Sequence, residues 1–399
     1  MPNTLSPTRE RALLFTLMVM QFTSILDFMI MMPLSAQLMS SFAIGPAEFG
    51  LLVSSYSLAA GMASLVASAI LDRFDRRQAL LASYMGLLLA TLACAFADDY
   101  WLLLTARVVA GVFGGVLSSI VLAIVGDLIP PQRRGHAMGI VMLAFSLAAV
   151  AGVPFGLFIA AHFNWQRPFL LLAIACMLVF AVAWQVVPPV RGHLQQKPQN
   201  LWQSYYALLS VPNHWWGFIT SCLVMFAGFM VIPYIAPTLV ANAGLSQADL
   251  PFIYFVGGAV TLITRPIIGN LTDRYRHAHV LTAITLISFI PVILVTQTLP
   301  LSLVWQLPIA ALFFIFVSGR FIPTSALITA SCTPQFRGRV MAFNSAVQNL
   351  GAGLAALLAG LIMSAGDNGR ILHYDWVGYI SCAVGLLAIA SAWRVKAVS

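Results

Sequence analysis

The chain has 399 residues, of which 60% are hydrophobic and only 8% are charged, and its formal net charge is +8. Soluble domains carry about 25% charged residues and need that polar surface to cover a core, so this composition excludes a soluble globular protein. Apolar runs of about 20 residues recur from end to end, and each is long enough to cross the ~30 Å hydrocarbon layer of a bilayer. The chain is therefore predicted to be a polytopic helical membrane protein.

Twelve such runs predict twelve transmembrane helices and an all-α integral membrane fold. A transmembrane β-barrel would instead show stretches of about 10 residues with alternating polarity, and the apolar runs here are unbroken. The predicted spans are residues 12–40, 47–71, 78–97, 101–129, 137–161, 168–188, 214–242, 247–272, 278–299, 302–331, 338–364 and 376–394.

The longest polar stretch follows the sixth predicted span and divides the chain nearly in half. Residues 187–206 read VPPVRGHLQQKPQNLWQSYY, and their Pro, Gln and Gly content is typical of a linker, with a short interfacial helix expected near 201–206. We therefore predict an N-terminal six-helix bundle at 1–188, a linker at 189–212 and a C-terminal six-helix bundle at 213–399.

Lysine and arginine are distributed unequally between the two sides of the membrane. Fifteen of the twenty lie on the side that carries both termini, two lie on the other side, and three lie within spans. The positive-inside rule places the fifteen, and both termini, in the cytoplasm, so we expect a bacterial-type inner-membrane protein. The basic charge reflects this topology, and no separate basic domain indicates nucleic-acid binding.

Two loops of the first half recur in the second half at nearly the same offset. Residues 69–82 (AILDRFDRRQALLA) align with 269–283 (GNLTDRYRHAHVLTA) when Asp72 is placed on Asp273. Residues 130–139 (PPQRRGHAMG) and 333–342 (TPQFRGRVMA) share the pattern PQ-x-RG. Repeats at equivalent places in two six-span halves indicate a duplicated transporter fold.

Four motifs make the chain resemble a known family over essentially its whole length. The loop AILDRFDRR resembles the pattern G-x-L-x-D-R-x-G-R-R, matching it at Asp72, Arg73, Arg76 and Arg77, with Asp75 in place of the second glycine. Span 4 carries Arg107, Gly111 and Gly115 in an R-x-x-x-G-x-x-x-G arrangement; span 5 carries AGVPFG, and span 1 carries an aspartate. The chain thus resembles the major facilitator superfamily, and within it the twelve-helix proton-coupled drug and sugar-efflux antiporters. This resemblance implies two pseudo-symmetric six-helix bundles and solute transport, but it says little about the cargo.

Asp27 is the only acidic residue well inside a predicted span, and Arg107 lies at a similar depth. Ionisable groups at this depth are costly and are functional candidates by default. Burial favours the neutral carboxyl and a nearby arginine favours the charged one, so such a group can bind and release a proton. We predict that Asp27 and Arg107 serve proton coupling; the alternative is a structural ion pair that never titrates. All seven histidines lie in loops or at span ends.

The remaining polar residues within spans define an expected substrate site. Three arginines against one aspartate leave the span interior net positive, and a guanidinium can bind a carboxylate with two hydrogen bonds. Arg320 is therefore expected to contact substrate, although it could instead cap backbone carbonyls, and Arg265 is expected to have a structural role near the cytoplasmic gate. The predicted substrate contacts are Tyr56, Phe229, Tyr234, Arg320, Asn344 and Gln348.

The loop charges and small residues are expected to act mechanically. In the resembling family the loop after span 2 is a latch between the bundles, and Asp127 is the expected partner of Arg73 or Arg77. Glycines allow close helix approach and a proline allows a bend. The charges could instead serve only as topogenic anchors. The predicted gating set is Asp72, Arg73, Arg76, Arg77, Asp127, Gly152, Pro154, Gly156, Asp273 and Arg274.

Three functions remain open at this point. The favoured one is export of a small organic solute in exchange for protons. The solute is expected to bear a carboxylate or to be zwitterionic, and the transporter is expected to be a monomer that needs no cofactor. The second is proton-coupled or facilitated uptake of a small organic anion. The third, a membrane enzyme or scaffold, is disfavoured because the sequence has no P-loop, no metal-binding motif and no nucleophile elbow.

Overall fold

The computed structural model describes residues 6–70, 73–130, 132–191, 208–333, 337–366 and 368–396. In these ranges twelve helices are long and apolar enough to cross a membrane, which confirms the predicted all-α class and span number. The interfacial helix expected near 201–206 lies outside the described residues. Spans 1 to 12 are Pro7–Ile30, Pro46–Ile70, Arg76–Ala95, Tyr100–Leu128, Arg134–His162, Gln166–Val186, Pro212–Ala241, Leu250–Arg274, His277–Thr296, Leu303–Ala330, Arg337–Ile362 and Tyr374–Ala392.

Span 1 ends earlier than predicted. Its helix stops at Ile30, residues 31–34 form a turn, and a separate short helix occupies Ser35–Phe42. Pro33 has no N–H to continue the helical hydrogen bonds and its ring clashes with the preceding turn, which breaks the helix here. The predicted span at 12–40 therefore joined two helices into one.

Spans 5, 7 and 10 are interrupted next to a proline, which frees a backbone carbonyl within the helix. Span 5 consists of Arg134–Leu147, a π-helical turn at Ala148–Gly152 and Val153–His162. Span 7 consists of Pro212–Val231, a 3-10 turn at Ile232–Tyr234 and Ile235–Ala241. Span 10 consists of Leu303–Gly319 and Phe321–Ala330. Arg320 lies between these two segments, and Pro323 lies in the first turn of the second.

The first and last residues that the structure describes, 6 and 396, lie on one side of the bundle, here called the basic face because its loops hold most lysines and arginines. Arg133 in the loop after span 4 pairs with Glu10 at 3.0 Å. The side-chain amide of Asn213, at the start of span 7, donates to the carbonyl of Lys396 at 2.7 Å. The other side is called the opposite face.

A two-stranded hairpin connects spans 11 and 12 at the opposite face. Strand Ser364–Ala365 pairs antiparallel with strand Ile371–Leu372. The Asn242 side chain, just after span 7, accepts from the N–H of Ile371 and donates to its carbonyl, each at 2.8 Å. The loop is thereby fixed to the end of span 7.

The two halves share a core near the opposite face and have separate cores near the basic face. One continuous hydrophobic cluster there contains Leu34 and Phe49 of the first half together with Met230, Ile253 and Ala359 of the second. Towards the basic face, one cluster is built only from residues 13–187 and three smaller ones only from residues 208–395. The described core thus joins the halves at the opposite face alone.

Candidate functional site

Asp27 and Arg107 form a direct ion pair inside the first half. Nη1 of Arg107 donates to Oδ2 of Asp27 at 2.9 Å and to its backbone carbonyl at 3.1 Å. The hydroxyl of Thr91 donates to Oδ1 of Asp27 at 2.9 Å. Asp27 and Arg107 are both 0% exposed, so water screens their attraction little and each charge depends on the other. The pair ties together spans 1, 3 and 4.

Glycines in span 4 bring this helix close enough to span 2 to place Tyr56 over the ion pair. A Cβ at Gly111 would overlap the backbone oxygen of Tyr56, and one at Gly114 would overlap its hydroxyl. The guanidinium carbon of Arg107 lies 4.5 Å from the centre of the Tyr56 ring. This distance allows a cation–π interaction, which is strengthened where water is excluded.

A stack of three aromatic rings runs from the ion pair into the second half. Tyr56 stacks on Phe28 with centroids 5.1 Å apart and ring planes at 29°. Phe28 stacks on Phe229 of span 7 at 5.9 Å and 25°. Phe229 was predicted to contact substrate; in this conformation it receives Phe28 across the boundary between the halves. Sequence reasoning missed Phe28 and Thr91. The only signal in the sequence was the position of Phe28 directly after Asp27, which could have indicated Phe28.

Arg320 is a buried cation, and not all of its N–H donors are hydrogen-bonded. It is 1% exposed, and its Nε and Nη2 have no hydrogen-bond partner among the described residues. It stands at the break in span 10, between Gly319 and Phe321. Buried donors without partners are costly, which distinguishes Arg320 from Arg107 with its carboxylate partner.

The two predicted amides of span 11 lie on one helix face and are at least half-buried. Asn344 is 2% exposed, and its Oδ1 has no partner in the part of the chain that the structure describes. Gln348 donates from Nε2 to the hydroxyl of Ser221 in span 7 at 2.9 Å. Both side chains therefore lie inside the protein rather than against lipid.

Tyr234 lies in the contact between the halves near the opposite face. Its hydroxyl donates to the carbonyl of Ala356 in span 11 at 2.7 Å and lies against Gly50 of span 2 and Gly360 of span 11. The side chain is fully buried. In this conformation Tyr234, predicted as a substrate contact, packs in the seal formed by spans 2, 7 and 11.

The charges around the loop after span 2 bind within the first half. Asp127 accepts from Nε of Arg76 at 3.3 Å, whereas Arg73 or Arg77 was the expected partner. Arg77 instead donates to the carbonyl of Trp184 and lies 5.8 Å from its ring. Arg73 is exposed. A shift of one residue along the helix, from Arg77 to Arg76, decides which arginine faces span 4. Asp72, also predicted for this set, lies outside the described residues.

Asp75, which stands where the family pattern has glycine, joins the start of span 3 to the end of span 6. Its carboxylate accepts from the N–H groups of Arg77 at 2.9 Å and Val190 at 3.0 Å, and from Nε of Arg191 at 2.8 Å. Desolvation raises the pKa of this carboxyl, but the hydrogen bonds from Arg191, Val190 and Arg77 outweigh it and hold the pKa below its usual value.

The AGVPFG segment is a contact point of span 5 with both halves. A Cβ at Gly152 would press on Leu26 of span 1 at 2.9 Å, and one at Gly156 would overlap Ile30. The π-helical turn before Pro154 packs against span 8, where a Cβ at Gly258 would lie 2.8 Å from the carbonyl oxygen of Ala149. Small residues therefore permit this crossing.

Arg265 makes a polar contact between the halves. Its Nη1 donates to the hydroxyl of Ser146 in span 5 at 2.9 Å, and its guanidinium lies 4.9 Å from the centre of the Phe145 ring. The counterparts of the loop charges in the second half, Asp273 and Arg274, are exposed at the end of span 8. Arg265 thus contacts the first half from within span 8.

Comparison with known proteins places this arrangement in a family. The model of the Major Facilitator Superfamily matches residues 17–321. The chain is 25% identical over 366 residues to a probable sugar efflux transporter of Pasteurella multocida (strain Pm70), covering 89% of this chain and 84% of that protein. It is 25% identical over 347 residues to the chloramphenicol resistance protein of Streptomyces lividans, covering 85% of each. The crystal structure of a D-xylose-proton symporter matches with a TM-score of 0.78 at 15% identity, covering 98% of each chain. The chain belongs to the Major Facilitator Superfamily.

Proposed function

We propose that this transporter exports a small organic solute across the cytoplasmic membrane in exchange for protons. The observation that carries the proposal is the ion pair of Asp27 and Arg107, both fully buried within the spans. Asp27 is the only acid well inside a span. A carboxylate retained at such cost is best explained by a proton that it gains and loses during transport. The relatives named as sugar efflux and chloramphenicol resistance proteins support the outward direction and a small solute.

The way in which the two halves are joined supports a mechanism of alternating access. We assign the basic face to the cytoplasm, because lysine and arginine concentrate in cytoplasmic loops. The shared core and the Tyr234 contact then close the periplasmic side, and the separate cores near the basic face correspond to a state open to the cytoplasm. The solute would enter from the cytoplasm in this state, with Phe229, Arg320, Asn344 and Gln348 as its proposed contacts.

The coupling step is a change of charge at Asp27. When Asp27 takes up a proton, the charge–charge attraction to Arg107 is lost, while the guanidinium keeps its contacts with the backbone carbonyl of Asp27 and the Tyr56 ring. Spans 1 and 4 are then free to shift against each other. The stacked rings of Tyr56, Phe28 and Phe229 would carry that shift to span 7.

A second function, uptake of a small organic anion, is favoured by Arg320. Its buried guanidinium has free donors and no carboxylate partner among the described residues. Arg320 lies at the break in span 10, and such breaks in transmembrane helices are typical of substrate sites in secondary transporters. An anion bound there would satisfy donors that are otherwise unpaired.

Thermal unfolding of the purified protein with a ligand panel separates the two functions. The panel holds sugars, chloramphenicol-like neutral drugs, lipophilic cations and small carboxylates, each tested on wild type and on Arg320→Gln. A ligand at 100 times its Kd should add about 2.7 kcal/mol to stability. Ligands that stabilise are then tested in proteoliposomes. Accumulation against a gradient, from the side of the basic face towards the other, supports export; accumulation in the reverse direction supports uptake.

A further inference from the structure

A groove of about 630 Å³ opens between spans 8 and 9, and span 10 forms its floor. Apolar side chains dominate its walls. The lining residues are Thr264, Ile267, Ile268 and Leu271 of span 8, Tyr275 and Arg276 directly after it, His279, Val280, Ala283, Ile284 and Ile287 of span 9, and Ile315 and Phe316 of span 10. The volume is within the range of pockets that hold a small ligand, about 300–1,000 Å³. None of the proposed transport residues lines it.

The groove lies on the outer surface of the bundle, where lipid surrounds the protein. Ile267 and Ile287, one on each wall, are large hydrophobic side chains that are 54% and 46% exposed. Span 8 crosses the groove from Thr264 to Tyr275, eleven residues or about 16 Å at 1.5 Å per residue. Half of a ~30 Å hydrocarbon core is about 15 Å, so the groove is as long as one leaflet is deep.

The end of the groove at the basic face is positively charged. Arg276 and His279 line this end and are exposed, and the Arg276 side chain has no ion-pair partner in the described ranges. The His279 ring contacts Trp393 edge-on at 4.8 Å, and Nε1 of Trp393 donates to Thr282 at 3.1 Å. Tryptophan at this level is typical of the membrane–water interface, which places Arg276 at the height of lipid headgroups.

We propose that this groove binds one acyl chain of an anionic phospholipid, with the lipid phosphate at Arg276 and His279. The apolar walls match the chain, the length matches one leaflet, and the charge matches the phosphate. Basic pockets between transmembrane helices bind anionic headgroups in this way. The site goes beyond the proposed transport function and does not depend on it.

Occupancy of the groove would stabilise the break in span 10. A Cβ at Gly319 would lie 2.7 Å from Ile268, and Ile284 is its next neighbour. Both isoleucines line the groove. An acyl chain held against them would therefore fix the packing of spans 8 and 9 on the residue that precedes Arg320.

Native mass spectrometry of the delipidated full-length protein tests the site. The protein is titrated with dioleoyl phosphatidylglycerol, with dioleoyl phosphatidylcholine and with inorganic phosphate. Ala283→Phe fills the groove and Arg276→Gln removes its charge. Ala181→Phe, at an exposed alanine on span 6, and Arg11→Gln, at an exposed arginine on the basic face, are the matched controls.

Phosphatidylglycerol should bind wild type and both controls more tightly than phosphatidylcholine. Ala283→Phe should abolish this binding, and Arg276→Gln should weaken it about fivefold, the effect of one basic residue at an anionic surface. Equal binding of both lipids, equal binding by Ala283→Phe, or displacement of the lipid by free phosphate would overturn the proposal. A dimer that excludes lipid from the groove would overturn it as well.

Discussion

Replacing Asp27 by asparagine tests whether the buried ion pair is energetically coupled. Asparagine is isosteric and keeps one oxygen acceptor, for Thr91 or for Arg107, and Arg107 keeps its bond to the backbone carbonyl, so the change removes the negative charge and one of the two acceptors. Removing one partner of a buried pair leaves an uncompensated charge and costs about 3–5 kcal/mol. The total stability of a domain is about 5–15 kcal/mol, so the loss should be easy to measure.

The pair is best measured as a double-mutant cycle. Asp27→Asn and Arg107→Gln should each destabilise, and the double variant should recover most of the loss because no unpaired charge remains. Thermal unfolding can be followed with a thiol-reactive dye, since Cys94, Cys176 and Cys332 are buried in the folded protein. Asp98→Asn, at an exposed position, is the control. Single variants as stable as wild type, or losses that simply add in the double variant, would refute the coupling.

Three further predictions concern packing and loop charge. Gly111→Ala in span 4 should destabilise by about 1–3 kcal/mol because its Cβ meets the backbone of span 2, whereas Gly126→Ala in the same helix meets nothing and should be neutral in thermal unfolding. Gly258→Ala should open the contact of span 8 with span 5 and so increase the labelling of cysteines introduced at the opposite face. Gly269→Ala, whose Cβ meets nothing, should leave that labelling unchanged. Asp75→Asn should lower Tm equally at about pH 5 and pH 8, because a carboxyl whose folded pKa is depressed loses its contribution only at more acid pH. A Tm difference that disappears between those two pH values would contradict that assignment.

Composition and repeats were sufficient to predict the fold, because twelve apolar runs have few ways to satisfy their backbone in lipid. The same information placed Asp27 and Arg107 at similar depth. It could not show their contact, since depth along a helix does not give the rotation of one helix against another. The error in span 1 has a local cause: Pro33 ends the helix inside an apolar run that hydropathy alone reads as continuous.

The contacts that sequence reasoning missed depend on helix rotation and close packing. Phe28 stacks between Tyr56 and Phe229, and Tyr56 itself is placed by the close approach of the span 4 glycines to span 2. Asp127 binds Arg76 rather than a neighbouring arginine because a shift of one residue turns a side chain by about 100° around the helix. Tyr234 lies in the seal at the 3-10 turn that interrupts span 7 around Pro233. None of these features leaves a periodic pattern in the sequence.

Transport by Asp27→Asn in proteoliposomes tests most directly whether Asp27 couples solute movement to protons. The solute is one selected by thermal stabilisation, and two assays are compared: accumulation driven by a pH gradient, and exchange of labelled for unlabelled solute without a gradient. Wild type should perform both. Asp27→Asn should retain exchange and lose accumulation, because solute can still cross while no proton is carried. If Asp27→Asn accumulates solute as wild type does, proton coupling through this residue is contradicted.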